Sequence, residues 1–141
     1  MREGRVDGFF YGLFMDEKVL RELGADPRDP RRAYVDDHAL RIGRRATLVP
    51  TSGSRSYGVV MALTHAELDG LYSAPGLEDY RPEEVEARLL GGGSLPALCW
   101  VLPDGAEPNE TNPAYAERLG AVLGRLDFPP EYVASVTEGG L

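Results

Sequence analysis

The strongest constraint on the fold lies past the middle of the chain, where Val85, Ala87 and Leu89 alternate with Glu84, Glu86 and Arg88. That period-two pattern is the mark of a strand with one face buried. The run Gly91-Gly92-Gly93-Ser94 follows as a turn, and beyond it Ala97 to Leu102, with Cys99 and Trp100, is apolar on both faces and so predicts a buried strand. Two strands joined by so short a turn pair antiparallel. The hairpin places the chain among folds built on an antiparallel sheet.

Other segments add to that sheet. Gly8 to Phe14 is apolar and aromatic, with Phe9, Phe10 and Tyr11 favouring a pleated backbone, so a first strand is expected over Gly8 to Leu13, loosened by Gly12. Asp16 is a candidate N-cap, Met15 and Leu20 stand at staple spacing around it, and Val19, Leu20 and Leu23 share one face of a helix ended by Gly24. Asp26 to Arg32 carries Pro27 and Pro30 and reads as a loop; Ala33 to Ile42 and Ala46 to Val49 are strand-like around a turn at Gly43. Ser52-Gly53-Ser54 is a turn signal, and Ser56 to Leu63 is a further strand. Thr64 and Glu67 form a capping box that starts a helix stapled by Leu63 and Leu68 and stopped before Pro75 and Gly76.

Asn112 as N-cap, Pro113 at the first helical position, and Tyr115, Leu119, Val122, Leu123 and Leu126 on one face define the clearest helix. Phe128 to Val136 adds a Pro-started terminal helix or turn, and Thr137 to Leu141 reads as a frayed tail. The expected fold class is α+β, a small, mixed and mainly antiparallel sheet flanked by helices. The 141 residues fit one domain, with a core from about residue 8 to 136.

Charge narrows the partners. With 15 Lys and Arg against 23 Asp and Glu, the formal charge is −8, which repels nucleic-acid phosphates and anionic headgroups. Neither nucleic acid nor membrane is an expected partner. Cys99 is the one cysteine, so no internal disulfide forms, and no apolar run approaches the roughly 20 residues of a membrane span. A cytoplasmic location is the expectation. His38 and His65 stand apart from any cysteine pair, whereas structural metals take about four ligands, so no metal site is expected.

The order of the pieces carries a resemblance. Phe9-Phe10-Tyr11-Gly12-Leu13-Phe14-Met15 is similar to the strand and glycine loop that open gamma-glutamylcyclotransferase-like proteins. Tyr57-Gly58-Val59-Val60 resembles their central strand, Leu68-Asp69-Gly70-Leu71 their next helix, Tyr80-Arg81-Pro82 a strand entry, and Phe128-Pro129-Pro130-Glu131-Tyr132-Val133 their closing segment. The resemblance runs from about Gly8 to Val136. It implies a β-barrel-like sheet flanked by helices, with a pocket at one end for a gamma-glutamyl group. The implied reaction needs no cofactor: the substrate's alpha-amine attacks its own gamma-carbonyl, expelling an amine or amino acid and leaving 5-oxoproline. One carboxylate can relay the proton, and backbone amides can steady the oxyanion.

Tyr11, Gly12, Leu13 and Phe14 are the expected substrate-binding loop, Gly12 admitting a close backbone approach and the helix starting near Asp16 directing amides toward a negative group. A tight strand-to-helix turn with Leu13 and Phe14 in the core is the competing reading. Many relatives carry small polar residues at those two positions. The family's base is a glutamate in a pattern like Leu-Asp-x-x-Glu-Gly; anchored on Leu71 and Gly76, that pattern places Pro75 at the glutamate. Glu78, in the same loop, is then the candidate catalytic base. Three functions follow from this: a cyclotransferase acting on a gamma-glutamyl amine or peptide, a binding or regulatory domain of the same fold without the base, or another amide chemistry with Glu78 and a more apolar substrate.

Overall fold

A computed structural model gives the arrangement of residues 4–105 and 112–137. Strands β1 (Arg5–Phe10), β2 (Arg28–Ile42), β3 (Ala46–Thr64), β4 (Arg81–Leu89) and β5 (Ser94–Val101) form a closed barrel in the order β1-β3-β2-β4-β5. All neighbours pair antiparallel except β1 and β5, which close the barrel through a parallel contact of Gly8 with Leu98. The mixed, mainly antiparallel α+β fold is therefore as the sequence implies.

The β4–β5 hairpin forms with Val85 opposite Ala97 and Ala87 opposite Leu95, and the alternating face of β4 buries Val85 and Ala87. Helices α1 (Glu17–Glu22), α2 (His65–Tyr72), α3 (Pro113–Arg125) and α4 (Pro130–Thr137) surround the barrel. Their starts follow the caps in the sequence. Asp16 accepts from the Lys18 amide, Thr64 and Glu67 make both bonds of the capping box, and Asn112 accepts from the Tyr115 amide ahead of Pro113. Leu119 and Leu123 of α3 are fully buried with Phe9, Phe10, Met61 and Leu63 of the barrel. Leu23, expected on the inner face of α1, is 59% exposed, because the helix ends at Glu22 and the chain turns away through Gly24 at φ 93°.

Several boundaries differ, each for a local reason. β1 stops at Phe10, and the expected continuation to Leu13 is replaced by a 3-10 turn over Leu13–Met15. Arg28 to Arg32 belongs to β2; Pro30 is accommodated at a register shift between Arg28 and Arg31, where a missing N–H breaks no ladder bond. The two strands expected around Ser52-Gly53-Ser54 are one long β3. Its pairing jumps from His38↔Pro50 to Asp36↔Arg55, so residues 51–54 bulge out of the ladder. Asp37, at φ 61°, secures the bulge by accepting a bond from the Gly53 amide at 3.0 Å. Of the tail expected from Thr137, Thr137 ends α4, and residues 138–141 lie outside the described part.

Candidate active site

β1 delivers its last residues to one end of the barrel, and the chain turns there at once. The Met15 amide donates to the Gly12 carbonyl at 3.0 Å and the Asp16 amide to the Leu13 carbonyl at 3.1 Å. Gly12 itself sits at an ordinary φ of −111°, so its need for glycine is one of space: a Cβ there would run into the Tyr115 hydroxyl. That hydroxyl accepts a 3.2 Å hydrogen bond from the Leu13 amide, tying the turn to α3.

The turn forms one wall of a cavity of about 270 Å³. Tyr11, Gly12, Leu13 and Phe14 all line it, with Phe10 beside them; Val19 comes from α1, Arg44 and Arg45 from the β2–β3 turn, Ala46 from the start of β3, Tyr72 from the end of α2, Leu77 and Tyr80 from the next loop, and Tyr115 from α3. Among the described residues lining it, none is Asp or Glu. Polar contacts fix the aromatic walls. Tyr11 donates to the Trp100 carbonyl at 2.7 Å, and Tyr80 donates to the Ala46 carbonyl. Tyr72 lies flat on Trp100, with centroids 4.9 Å apart and planes 8° apart, and meets Phe14 edge-on at 5.8 Å.

Burial raises the pKa of Tyr11, Tyr72 and Tyr115 above the usual phenol value, and for Tyr115 the bond from the Leu13 amide opposes the rise without cancelling it. These phenols stay protonated at neutral pH. They are hydrogen-bond donors and apolar surfaces, not bases. Cys99, fully buried in β5, is likewise pushed up by desolvation and stays a thiol.

The start of α1 is already occupied by a side chain of this protein. Asp16 takes the Lys18 amide at 3.0 Å and pairs with Arg125 at 2.8 Å, so the helix start carries its own anion. Glu78 is exposed. Its Oε1 accepts from the Gly76 amide at 2.9 Å, and its carbonyl accepts from Arg81 at 2.6 Å. Arg45 holds the same loop, donating to the Gly76 carbonyl at 3.1 Å and to Asp79 at 3.2 Å. So fastened, the loop turns Leu77 to the cavity while the neighbouring carboxylate folds back on its own backbone. Tyr11 to Phe14 are brought together with Tyr72, Tyr80 and Tyr115; Glu78 is not among the lining residues.

The family model for "Gamma-glutamyl cyclotransferase, AIG2-like" proteins matches residues 8–118. The chain belongs to that family. No curated protein matches the sequence. A solved gamma-glutamyl cyclotransferase has the same fold with a TM-score of 0.78 at 17% identity, covering 94% of this chain and 86% of its own. An uncharacterized protein from Homo sapiens gives 0.76 at 19%, covering 95% and 87%. A yeast gamma-glutamyl cyclotransferase specific to glutathione gives 0.68 at 13%, covering 96% and 95%. At these identities the likeness is one of fold.

The Leu-Asp-x-x-Glu-Gly pattern that the resemblance implies also fits the chain in a second register. Counted from Leu68-Asp69, which lie within α2, the glutamate position falls on Tyr72 and the glycine position on Ser73. Pro75, the position reached by counting from Leu71, is exposed. Tyr72, not Pro75, is the residue of this stretch that lines the cavity. Sequence alone does not single out Tyr72, Tyr80 and Tyr115, because aromatic residues are core far more often than site. The available signal was the intact Leu68-Asp69 pair.

Proposed function

We propose that this chain binds a gamma-glutamyl amine or peptide in the cavity behind Tyr11 to Phe14 and, as built, holds it without cyclising it. The observation that carries this reading is the lining itself, in which the family's glutamate position is a phenol stacked on Trp100 and no carboxylate appears among the described residues. Cyclisation needs a group that takes a proton from the attacking amine and returns one to the leaving nitrogen. A phenol whose pKa desolvation raises is a poor acceptor at neutral pH. The 11–14 loop supports the binding half, since family membership and the cavity meet there.

A second reading, release of 5-oxoproline by a working cyclotransferase, draws on Glu78, which follows the cavity-lining Leu77 directly in an exposed loop. Incubating the protein with a panel of gamma-glutamyl amides and peptides, with binding followed by calorimetry and product by mass spectrometry, separates the two. Binding without 5-oxoproline is expected. Turnover that Glu78→Gln abolishes would establish the second reading, and absence of both binding and turnover would reject both.

A further inference from the structure

The cavity walls are mostly apolar. Among the described residues lining it, the polar groups are the two guanidiniums of Arg44 and Arg45 and four phenol hydroxyls, and the other side chains are aromatic or aliphatic. Two of its phenol hydrogens, those of Tyr11 and Tyr80, are already spent on the Trp100 and Ala46 carbonyls. Arg45 is engaged with the Gly76 carbonyl and Asp79, as part of the anchor that holds the loop. A polar group set among these rings exchanges water for walls that offer it few partners, which costs free energy. A flat apolar group meets the face or edge of Phe14, Tyr72 and Tyr80 and the methyls of Leu13 and Leu77, and gains from leaving water.

Size agrees with chemistry. A dry apolar cavity of about 150 Å³ takes benzene. At about 270 Å³ this cavity has room for a ring of that size and a short chain besides. We infer that the site selects its ligand by an aromatic or branched apolar group on the amine side, so that its ligand class is the gamma-glutamyl amide of a hydrophobic amine and not that of a small polar amino acid. This rests on the gamma-glutamyl reading above for the headgroup and on the cavity walls alone for the apolar group.

The two parts are separable by a four-ligand set: gamma-glutamyl-phenethylamide, gamma-glutamylglycine, N-acetyl-phenethylamine and N-acetylglycine. Binding is read by calorimetry and by the fluorescence of Trp100, the chain's one tryptophan, which lies against the Tyr72 ring. Each phenethyl compound is expected to bind at least tenfold tighter than its glycine counterpart, the scale on which apolar pockets discriminate. Equal or tighter binding of the glycine compounds overturns the inference, as does failure of all four to bind. If the two phenethyl compounds bind equally, the apolar selection stands and the gamma-glutamyl headgroup is rejected; if the gamma-glutamyl compounds bind alike and the acetyl compounds do not, the reverse holds. Leu77→Asn, on a loop held by backbone bonds, is expected to shrink the preference about tenfold. A preference unchanged in that variant, with the fold intact by circular dichroism, overturns the assignment of the loop as a wall of the selecting site.

Discussion

Replacing Tyr72 by Glu puts a carboxylate at the end of α2, the position the family pattern reaches when counted from Leu68-Asp69. The structural cost comes from the rings. Tyr72 packs on Trp100 at 4.9 Å, on Phe14 at 5.8 Å and on Tyr80 at 6.0 Å. Losing three such pairs at roughly 0.5–1.5 kcal/mol each removes about 1.5–4.5 kcal/mol. Against a typical total of roughly 5–15 kcal/mol the protein stays folded, with Tm lower by roughly 5–20 °C. The chemical gain is a base beside the 11–14 loop. A positioned general base contributes about a hundredfold to ten-thousandfold, so 5-oxoproline release from a bound gamma-glutamyl amide should rise by that factor over the parent. Burial raises a carboxylate's pKa and only the ionised form accepts a proton, so the rate should climb as pH rises through that shifted value. Tyr72→Gln, with nearly the same shape and no proton affinity, is the control. The assay is single-turnover product formation at 25 °C, after near-ultraviolet circular dichroism has shown an ordered Trp100. A folded Tyr72→Glu that binds ligand yet matches Tyr72→Gln in rate refutes the assignment of Tyr72 to the glutamate position.

Three further outcomes follow from geometry. Gly58→Ala drives a Cβ into the Phe10 carbonyl and within 2.9 Å of the Phe9 ring, so β1 must shift where it feeds the 11–14 loop; a loss of about 1–3 kcal/mol in urea unfolding is expected, with weaker ligand binding. Thr64→Ala breaks the capping box, leaves the Glu67 amide unpaired and should cost about 1 kcal/mol by thermal unfolding, with the cavity unaffected. Tyr132 is raised by burial to about 12, opposed by the nearby Tyr57 backbone and Ser56, neither of which meets its hydroxyl in hydrogen-bond geometry. The unfolded phenol titrates near 10, so this stabilisation is complete below about pH 10 and is lost as pH rises toward 12, an effect of about 2–3 kcal/mol that Tyr132→Phe should remove from the alkaline unfolding profile.

The parts of the fold that the sequence made legible are those fixed by short-range physics. The capping side chains of Asp16, Thr64 and Asn112 act within three residues of themselves, and the alternation of Val85, Ala87 and Leu89 records one buried face. The misplaced boundaries depend on partners far along the chain. Pro30 reads as loop until β3 supplies a register shift to hold it, and Ser52-Gly53-Ser54 reads as a strand end until Asp37 crosses the ladder to bind the Gly53 amide. Neither compensation is written near the residue that needs it.

The same distinction governs the site. Tyr11 to Phe14 were readable because strand, glycine and turn adjoin in sequence, and those residues do line the cavity. The opposite walls were not, since Arg44, Tyr72, Leu77, Tyr80 and Tyr115 meet only through barrel closure and the docking of α3. The two counts of the glutamate position diverge for a physical reason as well. Leu71 and Leu68 are both buried on the inner face of α2, three residues apart and one helical turn, so either can serve as the motif's leucine when only composition is considered. Choosing Leu71 carries the count past the C-cap at Ser73 into the exposed loop, where Pro75 and Glu78 lie. Choosing Leu68 keeps the count on the helix and ends at Tyr72, whose ring the helix aims at Phe14 and Trp100. A base must stand on an element that fixes its direction, and of the two registers only the helical one ends on a side chain held in the cavity wall.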